Sequence, residues 1–222
     1  MPRLKRFDYL YDGCIVHVRL QVNNGEFLFQ KAIHYKLWKK WVKYYLRKYP
    51  SVKLTGYQWM SNHCHMMLEA ESARDLTKFL HDINWRFAFE FNKLTKRKGH
   101  FFQSRYRCSV IDKDEYEVIC QRYMYRNQLR AGMVRHVKHS RFGSYHHYAY
   151  GKANELITPF RNYANFGKDL CKRRQKFRMF VEVITDREKT NEKIWKQRLS
   201  HPNLKTIAQV MKDRMRRKKS AA

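Results

Sequence analysis

Between residues 14 and 131 the apolar residues switch repeatedly between strand-like and helix-like spacing, and the order of those switches constrains the fold more than any other feature. Residues 14–22, CIVHVRLQV, alternate. Val16, Val18, Leu20 and Val22 share one face, and Ile15, His17, Arg19 and Gln21 share the other, as in a half-buried strand. Asn23, Asn24 and Gly25 make a turn. Within 28–49, Ile33, Leu37, Trp38, Trp41 and Tyr45 recur at helical spacing, with Lys36, Lys39, Lys40 and Lys43 opposite them and Pro50 as the stop. Residues 52–60 and 63–68 read as strands broken at Ser61 and Asn62, a hairpin or one bent strand. Ser72 and Asp75 form a helix start signal, and Leu76, Phe79, Leu80, Ile83, Phe87, Phe91 and Leu94 carry the helix to a stop near Gly99. Residues 101–111 read as a fourth strand. Asp112 is placed to cap a further helix that runs to about Ala131, with Gly132 as its stop. The order β-α-β-β-α-β-α implies an α+β, ferredoxin-like arrangement: an antiparallel or mixed sheet with helices on one face. Trp38, Trp41, Trp85, Phe87 and Phe91 sit at core spacing and are assigned to packing.

Charge narrows the function classes. Lys and Arg number 48 against 19 Asp and Glu, a formal net charge of +29 with a pI near 10.1. Self-repulsion on this scale destabilises a compact chain, so the excess points to a polyanionic partner. At 43% hydrophobic and 15% aromatic, the composition is that of a folded protein and not of a disordered basic tail. No apolar run approaches the ~20 residues of a membrane span, and no apolar stretch follows the N-terminal charges as in a secretory signal. Five scattered Cys without a C-x-x-C pair fit reduced thiols in a cytoplasmic protein better than a disulfide framework. After about residue 140 the periodic signal weakens, with short helices expected around 176–184 and 190–199. Residues 161–222 hold 19 Lys and Arg against 6 Asp and Glu and end in KDRMRRKK, which reads as a basic arm.

Two constellations carry chemistry. In a strand, His63 and His65 project from one face, where two imidazoles can converge on a cation, while Cys64 points to the core side. In the helix 114–131, Tyr123 and Asn127 share a face, and Tyr125 lies roughly 200° around from Tyr123. Taken separately each has an ordinary explanation. H-x-H pairs arise by chance in a chain with 11 His, and tyrosines on amphipathic helices usually pack.

Together, GYQWMSNHCHMML (56–68), GHFFQSRYRCSVIDKDEYEVICQRYMYRNQLRAGMV (99–134) and, more weakly, FGSYHHYAYGK (142–152) resemble the HUH single-tyrosine transposases, most closely the REP-associated tyrosine transposases. The resemblance covers roughly residues 8–150. It implies the HUH endonuclease fold, an antiparallel sheet with helices on one face, as a catalytic domain over 1–150 followed by a basic, partly helical extension over 151–222. By position it implies His63 and His65 as metal ligands, Tyr123 as nucleophile and Asn127 as the third, amide ligand. Gln128 and Arg126 depart from the family, which commonly has Pro and an apolar residue there. The implied activity is metal-dependent cleavage and transfer of single-stranded DNA through a covalent 5′-phosphotyrosine, with Mg²⁺ or Mn²⁺ as cofactor and hairpin DNA as substrate. The chain is expected to act as a monomer or homodimer without membrane association. Expected DNA contacts are Arg105, Arg107, Arg122, Arg126 and Arg130, together with the terminal basic run. The alternative is a domesticated, non-catalytic DNA-binding protein of the same fold. A replication-initiator or relaxase-type HUH nuclease fits less well, because the chain is short and carries the Y-x-Y-x-N block.

Overall fold

The computed structural model describes residues 9–112 and 114–183; the expected helix at 190–199 and the basic run at 212–219 lie outside them. Four strands, β1 (Cys14–Gln21), β2 (Val52–Trp59), β3 (His63–Ala70) and β4 (Arg107–Ile111), form one antiparallel sheet in the order β2-β3-β1-β4. Helix α1 (Ala32–Lys48) connects β1 to β2, and α2 (Ala73–Thr95) connects β3 to β4. The expected β-α-β-β-α-β order is therefore realised in the ferredoxin-like strand order. α3 (Asp114–Arg130) follows, then α4 (Tyr145–Tyr150) and α5 (Leu170–Glu182). No described helix is long and apolar enough to cross a membrane.

The strand alternation sorts side chains into two cores. Val16, Val18 and Leu20 of β1 and Cys64, Met66 and Leu68 of β3 pack beneath α1 and α2 with Trp38, Leu76, Phe79, Ile83 and Phe87. Ser72 caps α2, its hydroxyl accepting from the Asp75 amide at 3.3 Å. The opposite face of the sheet is covered too. Ile15, Met67 and Ile111 pack there with Tyr123, Met124 and Tyr125 of α3, Tyr145 and Tyr148 of α4, and Phe177 and Val181 of α5. Helices on one face thus describes α1 and α2, and α3, α4 and α5 add a layer on the other. That layer crosses residue 150 without a break, since Phe160, Phe177 and Val181 are buried in the same cluster as Tyr125.

Two details depart from the periodicity. The fourth strand is shorter than the expected 101–111. Phe101 is drawn into the α2 core against Phe87 and Phe91, with ring centroids 5.1 and 4.5 Å away, so 101–106 forms a loop and the ladder starts at Arg107. Trp85 lies outside the core; it is 58% exposed on the outer side of α2.

β2 places α3. A bulge between Leu54 and Gly56 shifts the alternation by one residue, so Val52 and Leu54 before it and Tyr57 and Trp59 after it all face the α1/α2 core. Gly56 then faces α3 closely enough that a Cβ there would stand 2.3 Å from Gln121 Oε1 and 2.8 Å from Met124 Cε. Gln121 is buried, and its Nε2 donates to the Thr55 carbonyl at 3.2 Å. Gly56→Val is therefore expected to cost about 1–3 kcal/mol by overpacking. Chemical denaturation of the variant reads this directly, and unchanged stability would show that α3 does not seat tightly on β2.

Candidate active site

One cross-strand row on the α3 face sets the site. Gln58 of β2 is opposite His65 of β3, His65 is opposite Arg19 of β1, and Arg19 is opposite Arg107 of β4. His63 lies one pleat further along, opposite Gln21. Cys64 points into the α1/α2 core, as the alternation requires. The His63 and His65 rings meet edge to face, with centroids 4.9 Å apart.

Each of these imidazoles has its Nδ1 held by another side chain. His63 Nδ1 donates to Asn62 Oδ1 at 2.6 Å, and His65 Nδ1 lies 2.9 Å from Nε2 of His17 on β1. The two buried rings, His17 and His65, stack with centroids 5.0 Å apart and 22° between planes. With Nδ1 of each ring engaged, Nε2 is the nitrogen that would meet a cation when His65 carries its proton on Nδ1, as metal-binding histidines commonly do. Burial, followed by the Arg19 guanidinium and His63, lowers His17 to about 3. Burial and then Arg19 lower His63 to about 3, and burial with His17, His63 and Arg19 drives His65 well below its ordinary value. All three rings are thus neutral at pH 7.

This has a consequence for stability. The unfolded chain takes up protons on these histidines below about pH 6.5, which the folded chain refuses until about pH 3. The stability linked to the neutral rings is complete above about 6.5 and drains away as pH falls toward 3. The thermal midpoint is expected to drop steadily between about pH 6.5 and pH 4. A midpoint constant across that range would contradict the buried, neutral cluster.

Tyr123 of α3 faces these histidines, its ring edge-on to His65 with centroids 6.0 Å apart. The phenol is 9% exposed, and the Arg130 guanidinium lies over its ring at 5.1 Å. Burial and the neighbouring Arg107 lower the pKa of Arg19, whereas Tyr123 acts in the opposite direction, which places a second cation within electrostatic reach of the phenol. Tyr125 is directed elsewhere. It is fully buried, its hydroxyl pairs with Ser144 Oγ at 2.9 Å, and burial pushes its pKa up.

Asn127 lies one turn beyond Tyr123 on α3. Its Nδ2 is buried without a hydrogen-bond partner among the described residues, an unsatisfied amide on the same helix as Tyr123. Because amide N and O are assigned by their partners, a rotated Asn127 offers Oδ1 equally well. Among the described residues no group of three His, Cys, Asp or Glu is placed to hold a metal ion. His63 and His65 on β3 and the unspent Asn127 amide on α3 are the groups that would hold a metal ion here. Two imidazoles with their second nitrogens already engaged, plus an unspent amide, fit a divalent cation.

Two expected DNA contacts are corrected. Arg122 and Arg126 are 4% and 3% exposed, and their guanidinia donate to main-chain carbonyls at the end of α5, namely Phe180 and Val183 for Arg122 and Val181 and Val183 for Arg126. They cap carbonyls at the C-terminal end of α5. Arg105, Arg107 and Arg130 are exposed. Gln128 also has a structural use: its Nε2 donates to the Trp59 and Arg141 carbonyls at 2.8 Å each, and its Oε1 accepts from the Arg141 amide at 3.0 Å. This side chain ties the end of α3 to the end of β2. His17 and Arg19 were not singled out in the sequence. Their signal was the polar half of the β1 alternation, and only the strand register brings it against His65 and Tyr123.

The IS200-like transposase family model matches residues 11–127, which include His63, His65, Tyr123 and Asn127, and the chain belongs to that family. A solved structure described as a REP-associated tyrosine transposase bound to a REP hairpin superposes with a TM-score of 0.56 at 18% identity, covering 72% of this chain and 96% of that one. The two share the fold. A putative transposase from Deinococcus radiodurans R1 aligns with a TM-score of 0.39 at 14% identity, over 58% of this chain and 98% of that one. No curated protein matches.

Proposed function

We propose that the chain is a metal-dependent single-stranded DNA endonuclease and strand transferase that works through Tyr123 on hairpin-bearing DNA. The observation that carries this reading is the meeting of Tyr123 with His65, the second histidine of the His63/His65 pair and 58 residues away in the chain, at a ring separation of 6.0 Å. In the reaction the Tyr123 hydroxyl attacks a backbone phosphorus. A bond forms from the phenolic oxygen to phosphorus as the bond to the 3′ oxygen breaks, leaving a 5′-phosphotyrosine and a free 3′-OH. The phenolic proton is lost and the departing 3′ oxygen gains one. Phosphoester energy is kept in the tyrosine linkage, so another 3′-OH can reverse the step and join a new strand.

A phenol near pKa 10 is mostly protonated at neutral pH, so its ionised form needs support. Arg19 and Arg130 supply positive charge beside it. His63, His65 and Asn127 would hold Mg²⁺ or Mn²⁺, which supplies charge neutralisation at the phosphate when bound. His17 fixes the ring of His65, and Asn62 that of His63. The solved structure of a relative with a REP hairpin supports a hairpin substrate for this chain as well. The test is incubation with a single-stranded hairpin oligonucleotide and Mn²⁺, followed by a denaturing gel. A band of protein linked to DNA supports the reading, and its absence under all divalent metals would overturn it.

A further inference from the structure

Trp85 and Phe89 sit one turn apart on α2, 58% and 52% exposed, and stack with ring centroids 5.8 Å apart and 12° between planes. The helix already buries Phe79, Ile83, Phe87 and Phe91 on its inner side, so this outer pair has no role in the core. It lines an open cleft of about 450 Å³ between α2 and the 99–106 loop. Arg105, His81 and His100 also line the cleft, and no carboxylate does among the described residues. Asn92 completes the wall. Its Nδ2 donates to the Gly99 carbonyl at 2.8 Å, and its buried Oδ1 has no hydrogen-bond partner among the described residues.

The loop that walls the cleft is tied to β1 and runs on into β4, the strands that carry Gln21, Arg19 and Arg107. Phe102 bridges to Val22, and the Gln103 amide donates to the Gln21 carbonyl at 3.0 Å. Gln21 is the residue opposite His63, and Arg107, at the far end of the loop, is opposite Arg19.

We propose that this cleft holds unpaired bases of the substrate DNA strand, away from the reacting phosphate. Trp85 extends its stack onto a base, Asn92 Oδ1 accepts from a base amine, and Arg105 meets the backbone. The chemistry selects this occupant. Stacked exposed aromatics beside Arg105, with no carboxylate among the described lining residues, suit a nucleic acid, whereas a second copy of a chain carrying +29 would bring like charge against the cleft. The inference rests on the functional reading above and adds the place where the single strand lies.

The test is fluorescence anisotropy on the full chain in EDTA, with a mixed-sequence single-stranded oligonucleotide of about twelve nucleotides. Trp85→Ala is expected to weaken this binding about tenfold, and a blunt duplex of equal length by less than about twofold, because stacking needs unpaired bases. Trp85→Phe should recover most of the loss. Equal losses on both probes, or none, would overturn the proposal. A change in sedimentation of Trp85→Ala without DNA would also overturn it by showing an interface between copies. The measurement needs no cleavage, so the two readings separate. Adduct formation together with unchanged Trp85→Ala binding sinks the cleft alone, and a wild-type chain that binds no single strand sinks both.

Discussion

Tyr123→Phe is expected to abolish the covalent protein–DNA adduct, lowering its rate by a factor on the order of 10⁴ or more, since no other group replaces a lost nucleophile. Phe keeps the ring that His65 meets edge-on and that Arg130 covers, so the fold and hairpin binding should survive. The variant thus separates chemistry from binding. Tyr125 offers no substitute nucleophile, because its buried hydroxyl is committed to Ser144. A Phe variant that still forms the adduct would move the nucleophile to another residue. A variant that loses binding in step with the adduct would favour the binding-only alternative, in which Tyr123 serves packing.

The second large effect is expected at His63. This ring is partly exposed, unlike His65, so His63→Ala removes a candidate ligand without opening a cavity beneath α3. Cleavage should fall by a factor on the order of 10² or more, above the 10- to 100-fold typical of losing only a partner of a ligand. Mn²⁺ binding, followed by titration calorimetry without DNA, should weaken in parallel, which a purely structural role for His63 would not produce. Chelation of the wild type by EDTA should stop cleavage and leave hairpin binding measurable. Cleavage that persists in EDTA would contradict the metal role outright.

Much of this was legible in the sequence, for identifiable reasons. Strand periodicity needs only the local pattern, so β1 and β3, and the opposed faces of His65 and Cys64, could be read directly. Ser72 was readable because a cap is a local hydrogen bond. The partnership of His63 and His65 with Tyr123 came from motif resemblance, since nothing local joins segments this far apart. What the sequence could not show depended on register and tertiary packing. His17 reaches His65 only through the antiparallel pairing of β1 with β3. Arg122 and Arg126 looked like surface cations until α5 folded its C-terminal carbonyls onto them. Trp85 fell at a spacing that suits either side of a broad apolar stripe, and the inner side was already filled by Phe87 and Phe91. The second core, reaching Val181, was invisible because its tyrosines and short helices carry little periodic signal.

The central claim is that the Tyr123 oxygen attacks phosphorus in a pocket made by β1, β3 and α3. The most direct measurement is mass spectrometry of the adduct after digestion. Cleavage after Arg122 and Arg126 releases residues 123–126, YMYR, and fragmentation of that peptide separates its two tyrosines. The account predicts a 5′-linked nucleotide on Tyr123. A nucleotide on Tyr125 or on any other residue, or cleaved DNA with no protein attached, would contradict it.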